Sequence, residues 1–222
     1  MTISPLDRIR LARSFVAIVR DPKNLDDVLE MADRIADQEL DEDLIPAPIK
    51  DAAATLTDVA PLPGLETLRE LPEGTLGREY ARFMDDNGLT PDALEWPADD
   101  TDLARFRAHM RTSHDLWHVA TGWTPDLLGE LGLQAFYLAQ LRVPFPAFVL
   151  AAGLMHTVLK QRAHFFEIVD AIAEGWRQGT EAAPLLVVDW NQWLDVPVEG
   201  VREHLALQAA RRRPEPVVPL VA

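Results

Sequence analysis

The sequence predicts an all-α, single-domain multi-helix bundle, and three observations lead there. Apolar residues recur at helical spacing along most of the 222 residues. The breaks between these segments carry turn chemistry such as Asp21-Pro22, Pro61-Leu62-Pro63-Gly64 and Asn87-Gly88. Length and composition, with 48% hydrophobic and 26% charged residues, suit one ordinary globular domain. No internal repeat and no domain-separating linker is visible. Residues 1–60 read as N-terminal helices, 61–212 as a helical core and 213–222 as a flexible tail, all within one structural domain.

The elements follow in order. Leu6 to Val19 carries Ile9, Leu11, Phe15 and Ile18 at helical spacing and stops at Asp21-Pro22. Leu25 to Ile35 forms a second helix with Asn24 as N-cap. An acidic, proline-containing passage, Asp41-Glu42-Asp43 through Pro48, separates it from Ala52 to Val59. Thr75-Leu76-Gly77 opens a helix carrying Tyr80, Phe83 and Met84 that ends at Asn87-Gly88. Asp99, Asp100 and Thr101 offer caps for a helix from about Leu103 through His118, broken at Thr121-Gly122-Trp123-Thr124-Pro125. Pro125 suits the first turn of the next helix, which runs to about Leu141. After Pro146 comes one long helix, or a broken pair, to about Gly175. Leu185–Val188 has strand-like composition, but with no partner strand the 185–193 region reads as helix. Val198 to Ala210 is a final short helix.

Composition excludes several functions. With no cysteine, there is no disulfide, thiolate metal site or cysteine nucleophile, so any metal must be held by histidine and carboxylate. A net charge of -15 disfavours nucleic acid, and Arg211-Arg212-Arg213 is too short to reverse that. The N-terminus lacks the charged-then-apolar layout of a signal peptide. The most apolar stretch, Val143 to Leu159, opens with Pro144 and Pro146 and reads as a buried or lipid-contacting helix rather than a span.

His114 and His118 are four residues apart in a helical segment, which places them on one face with Cβ atoms about 6 Å apart. Asp115 lies on the adjacent flank, the three spanning roughly 100° of arc. A carboxylate there could ligate, or orient a histidine from outside the ligand set. Glu130 would lie about 18 Å beyond His118 on a straight helix. A chain reversal at Gly122–Pro125 removes that obstacle by folding the next helix back alongside the histidines. Two imidazoles with one or two carboxylates suit zinc, iron, manganese or cobalt. The plain alternative is a helix with surface histidines and an unrelated glutamate.

The other candidates read more simply. His109 projects away from His114 and His118 and suits the surface or a supporting position; His156 and His164 default to core histidines, and His204 to an exposed one. Arg111 could grip a carboxylate or phosphate, or form a plain salt bridge. Trp117, Trp123, Trp176, Trp190 and Trp193 read as core. Phe145, Phe148, Val149, Leu154 and Met155 read as core packing or as the lining of a groove for a long hydrocarbon.

The run His114-Asp115-Leu116-Trp117-His118, eleven residues and then Glu130 matches the HDxxH-x11-E pattern of the coenzyme Q biosynthesis protein 4 family. Thr121-Gly122-Trp123, Gly129, and the passage Pro72-Glu73-Gly74-Thr75-Leu76-Gly77 through Tyr80 and Phe83 resemble that family too, as do Trp190, Pro197 and Arg202. The resemblance spans roughly residues 65 to 210. Asn191 departs from it, standing where the family often has an acidic residue.

The resemblance implies an enzyme of ubiquinone biosynthesis that removes the C1 carboxylate of the prenylated head-group precursor, with hydroxylation at the same carbon. His114, Asp115, His118 and Glu130 would be both the metal-binding and the catalytic residues, with zinc first and iron, manganese or cobalt as alternatives. It equally allows a lipid-binding scaffold that gathers other ubiquinone-biosynthesis enzymes around a structural metal. An HD-type phosphohydrolase would need further His and Asp ligands, and no convincing set is visible. The implied partners are a polyprenylated quinone precursor, other ubiquinone-biosynthesis proteins and a peripheral membrane contact, with a homodimer as the ordinary oligomeric expectation. The expected setting is cytoplasmic, on the inner face of the cytoplasmic membrane, or the matrix side of the mitochondrial inner membrane in a eukaryote.

Overall fold

A computed structural model describes residues 5–22, 51, 61–91 and 102–209. Among them are eight α-helices: α1 (Pro5–Arg20), α2 (Leu65–Arg69), α3 (Leu76–Asn87), α4 (Asp102–Thr121), α5 (Leu127–Leu141), α6 (Phe145–Lys160), α7 (Phe165–Glu181) and α8 (Val198–His204). No strand occurs among the described residues; an isolated antiparallel bridge joins Thr75 to Pro197. The all-α expectation holds. The expected helices at 25–35 and 52–59, the Asn24 cap, the 41–48 passage, the caps at 99–101, the Arg211–Arg213 triplet and the 213–222 tail lie outside the described residues.

Several boundaries move for local reasons. Pro125 lies before α5 rather than in its first turn, because the Asp126 side chain accepts from the Gly129 N–H and so caps the helix one residue later. The segment after Pro144 is a broken pair: α6 ends at Lys160, a 3₁₀ turn covers Arg162–His164, and α7 runs on to Glu181, past Gly175. The 185–193 region is not one helix but two 3₁₀ turns, Leu185–Val187 and Trp190–Gln192, the second capped by Asp189. The last helix stops at His204 instead of Ala210, since Ala206 takes a positive φ of 52° that ends the helical path. By contrast, Gly88 closes α3 in the left-handed region where glycine was expected.

The core gathers Trp117, Phe136, Leu116, Leu133 and Leu185 from α4, α5 and the 3₁₀ segment, all fully buried. α7 buries a stripe, Ile168, Ala171, Gly175, Gln178 and Gly179, at helical spacing. Through that stripe α7 lies against α5 with backbone nearly touching backbone. A Cβ on Gly175 would stand 1.9 Å from the Gly132 carbonyl oxygen, and one on Gly179 2.7 Å from that of Phe136. Rising residue numbers meet rising numbers, so α5 and α7 run parallel. α6 runs back between them in sequence, its Gly153 against Leu131. α1 packs on α6 through Ile18, Val19 and Ala152, and His156 Nδ1 lies 2.9 Å from the Val19 carbonyl oxygen. His156 is thus the satisfied core histidine expected. No helix among the described residues is long and apolar enough to cross a membrane.

The proposed hydrocarbon-lining set does not share one face. Phe145 and Phe148 pack toward α1, Leu154 toward the α5–α7 cluster that includes Leu131 and Ile168, Val149 touches both, and Met155 is exposed.

Candidate metal centre

The site is built where α4 gives way to α5. His114 and His118 stand on one face of the last two turns of α4. Gly122, at φ 83°, ends the helix in a conformation that favours glycine, and its N–H returns to the His118 carbonyl at 2.8 Å. Trp123 then turns inward, with its indole N–H donating to Gln178 Oε1 at 2.9 Å. The Gln178 amide in turn donates to the Thr121 carbonyl at 3.1 Å, so one buried side chain of α7 pins both sides of the reversal. The Thr124 hydroxyl donates to Asp126, and Asp126 caps α5. Gly129 passes so close to Thr124 that a Cβ would lie 1.9 Å from its carbonyl oxygen. Only a residue without a side chain fits there, and the next residue is Glu130, in the first turn of α5.

This reversal brings three donors together. His118 Nε2 lies 3.2 Å from His114 Nε2 and 3.2 Å from Glu130 Oε1, and His114 Nε2 lies 3.7 Å from Glu130 Oε2. One ligand atom from each residue falls within 4.8 Å of the others, a group able to hold a metal ion. The other nitrogen of each ring is occupied. His118 Nδ1 lies 3.0 Å from the Trp123 carbonyl oxygen, which can only accept, so Nδ1 carries the proton in that bond and a neutral ring presents a lone pair at Nε2. His114 Nδ1 is 3.1 Å from the Tyr137 hydroxyl. Rings fix the orientation further: Phe83 stacks on His118 with centroids 5.4 Å apart, and Tyr137 stacks on both His114 and Trp117. Such outer partners hold metal-ligating imidazoles in place.

The electrostatics suit a cation. Burial disfavours a charged His118, yet the Glu130 carboxylate outweighs burial and raises its pKa. Burial alone would raise the Glu130 pKa, but His118 and His114 pull it down. His114 is pushed down, first by burial and then by His118. Glu130 and His118 thus favour each other's charged forms, while burial and His118 disfavour the charged form of His114. The Tyr137 hydroxyl, fully enclosed, has its pKa raised well above the usual range and stays protonated. A divalent ion on two neutral imidazoles and one carboxylate would leave net positive charge to attract an anionic ligand.

The remaining candidates separate. Asp115 is half-buried beside the site, with a pKa raised by burial against the attraction of His114 and His118, and it stands outside the converging three. His109 is buried, not a surface residue, and its Nε2 lacks a hydrogen-bond partner. His164 is exposed and pairs with Glu167 at 2.8 Å, contrary to a core role. His204 is exposed, its ring tilted against that of Trp193. Arg111 is half-buried. Trp117, Trp123 and Trp190 are core and Trp193 is half-buried, whereas Trp176 is 40% exposed with the Arg142 guanidinium over its ring. Sequence reasoning did not single out Tyr137 or the Trp123 carbonyl. Tyr137 sits seven residues from Glu130, two turns along the same face of α5, and that spacing could have found it. A backbone carbonyl leaves no trace in side-chain identity.

Residues 61–211 match the family model described as coenzyme Q (ubiquinone) biosynthesis protein Coq4. The chain is 32% identical over 149 residues to the ubiquinone biosynthesis protein coq4, mitochondrial, of Talaromyces stipitatus, covering 65% of this chain and 50% of that protein. It is 31% identical over 155 residues to the mitochondrial COQ4 homolog of Nematostella vectensis, covering 67% of this chain and 73% of the other. The match to the mouse homolog is 30% over 147 residues, 54% of that protein's length. The chain therefore spans about half the length of two of these three relatives. In structure it is similar to a putative ubiquinone biosynthesis protein from Nostoc punctiforme, with a TM-score of 0.73, 29% identity, and coverage of 89% of this chain and 97% of that one.

Proposed function

The chain belongs to the coenzyme Q (ubiquinone) biosynthesis protein Coq4 family, and we propose that it acts in ubiquinone biosynthesis as a metal-dependent enzyme that removes the C1 carboxylate of the polyprenylated head-group precursor. The convergence of His114, His118 and Glu130 supports this reading. A metal ion held by these three would act as a Lewis acid toward the ring carboxylate or the neighbouring phenolic oxygen, and a redox-active one would also engage dioxygen. Zinc, iron, manganese and cobalt all fit the donor set.

The protein's own residues prepare that chemistry. The Trp123 carbonyl and the Tyr137 hydroxyl hold the two imidazoles with Nε2 facing inward. Glu130 supplies one negative charge, too little to neutralise a divalent ion, so an anionic substrate group is drawn in. Asp115 is the polar side chain next to the cluster that is not committed to it, and orienting a ligand or taking up a proton are roles open to it. Phe83 stacks on His118 and Trp117 backs Tyr137, giving one side of the centre an apolar wall. A substrate with a long polyprenyl tail favours work at a membrane surface, with other ubiquinone-biosynthesis proteins as neighbours.

The test is carbon dioxide release from the carboxylated, prenylated precursor by the metal-loaded protein beside Glu130→Ala. The expected result is a folded variant with no metal and no release. Unchanged release from metal-free Glu130→Ala would end the catalytic reading. Ubiquinone accumulating normally in cells carrying that variant would leave the scaffold role with a metal that serves structure alone.

A further inference from the structure

We propose that Arg202 is a positioning residue of the metal centre: from α8 it holds the carbonyls at the C-terminal end of α4, and so fixes the direction in which His118 presents Nε2. This role presupposes the metal-binding part of the reading above and needs no decarboxylation, so the two can fail separately.

The last four carbonyls of an α-helix have no partner within it. In α4 these belong to His118, Val119, Ala120 and Thr121. The Gly122 N–H takes the first at 2.8 Å, and the Gln178 amide takes the fourth at 3.1 Å. The middle two go to one side chain. Arg202 donates from Nη2 to the Val119 carbonyl at 3.0 Å and from Nε to that of Ala120 at 2.8 Å. Ala120 is fully buried, so without the guanidinium its carbonyl would be stranded away from water. The outer nitrogen, Nη1, pairs with Glu199 at 3.0 Å, and the Glu199 side chain is 81% exposed. The planar guanidinium presents Nε–H and Nη–H side by side to two successive carbonyls, which the point charge of a lysine cannot do.

His118 lies in this same turn, and its Nδ1 is held by the Trp123 carbonyl beyond the helix end. That carbonyl returns to the ring only if the chain leaves α4 in one direction. Arg202 sets the direction from a firm base, because the C-terminal segment is docked on the start of α3. The Leu76 N–H donates to the Val196 carbonyl at 2.9 Å, the Gly77 N–H to that of Leu194 at 2.8 Å, and the Val198 N–H to that of Gly74 at 2.9 Å. α3 carries Phe83, the ring stacked on His118. Both supports of the imidazole, Phe83 and the Trp123 carbonyl, are thereby referred to one segment of chain.

Charge and position make opposite predictions for this residue. Arg202 is a cation near a site for a cation. If its charge alone mattered, removing it would tighten metal binding. If it positions His118, removing it weakens binding. A residue that only stabilised the fold would lower the melting temperature and leave the affinity of the folded protein unchanged.

Titration of the full chain with cobalt(II), followed by visible absorption, tests it beside Arg202→Met, Arg202→Lys and Glu199→Gln. Arg202→Met should keep the parent's circular dichroism yet bind cobalt at least about tenfold more weakly, with a changed absorption band. Arg202→Lys, which keeps the charge and reaches one carbonyl, should fall between the two. Glu199→Gln should match the parent. An Arg202→Met that binds cobalt as tightly as the parent or more so, with the parent's absorption, overturns the proposal whatever its melting temperature. Should Arg202→Met not fold, Arg202→Lys decides, and the parent's affinity and absorption in that variant overturn it. A parent that binds no cobalt defeats the metal reading, and the His118 Nδ1 proton of the metal-free chain then decides this one by NMR. Its slow exchange should be lost in Arg202→Lys, and an unchanged signal there overturns the proposal.

Discussion

The α5–α7 and α1–α6 contacts are both helix pairings, yet they are built in opposite ways. α5 and α7 meet through glycine, with Gly175 against the Gly132 carbonyl and Gly179 against that of Phe136. Gly132 also faces Trp123, where a Cβ would fall 2.6 Å from the indole ring. α1 and α6 meet through side chains, Ile18, Val19 and Ala152 buried and Leu11, Phe15, Phe145 and Phe148 partly so, while Ile9 and Val16 on α1 stay exposed. The first contact fixes a distance, and with it the position of Glu130. The second adds buried area and can shift without consequence for the ligands.

Substitutions should expose the difference. The largest effect is expected at Gly175→Ala. The new methyl would meet a backbone carbonyl that cannot rotate away, so the helices must part, at a cost of about 3 kcal/mol or more in urea unfolding. A cost under about 1 kcal/mol would show the α5–α7 contact to be as forgiving as the other.

Gln178→Leu comes next. It removes the partner of the buried Trp123 indole N–H and of the Thr121 carbonyl. Burying both without partners should cost about 2 kcal/mol. Metal affinity should also fall, because Trp123 supplies the carbonyl that orients His118. Unchanged affinity in a destabilised protein would separate the hinge from the site.

Phe148→Ala tests the looser contact. Its side chain is only partly buried, so a loss of about 1–2 kcal/mol is expected, below the full cost for a buried ring. Metal content should stay that of the parent. Loss of metal here would mean that α1–α6 packing reaches the ligands after all.

The legibility of the sequence follows the same division. The histidine spacing, the break after His118 and the glycine before Glu130 are local signals, and local geometry turned each into structure. α3 was readable from Thr75 to Gly88 for the same reason. The 185–193 region was not, because its apolar composition fits a strand or a helix while Pro184 and the Asp189 cap divide it into 3₁₀ turns. His164 is exposed where a core position was expected, and His109 is buried rather than at the surface, because helical projection gives an angle but not what packs against it. Tyr137 became part of the site only through the α4–α5 crossing, a contact across 23 residues of chain.

Acidity gives the site a further signature. Glu130 raises the pKa of His118, so a metal ion must displace that proton as the pH falls below the raised value. Affinity should weaken about tenfold per pH unit there, and a pH-independent affinity would show that His118 is not a ligand.

Elemental analysis of the purified protein beside a His114→Ala/His118→Ala variant tests the central claim most directly. About one metal ion per chain is expected in the parent and none in a variant that still folds. No metal in either protein after reconstitution, or equal metal in both, would contradict it.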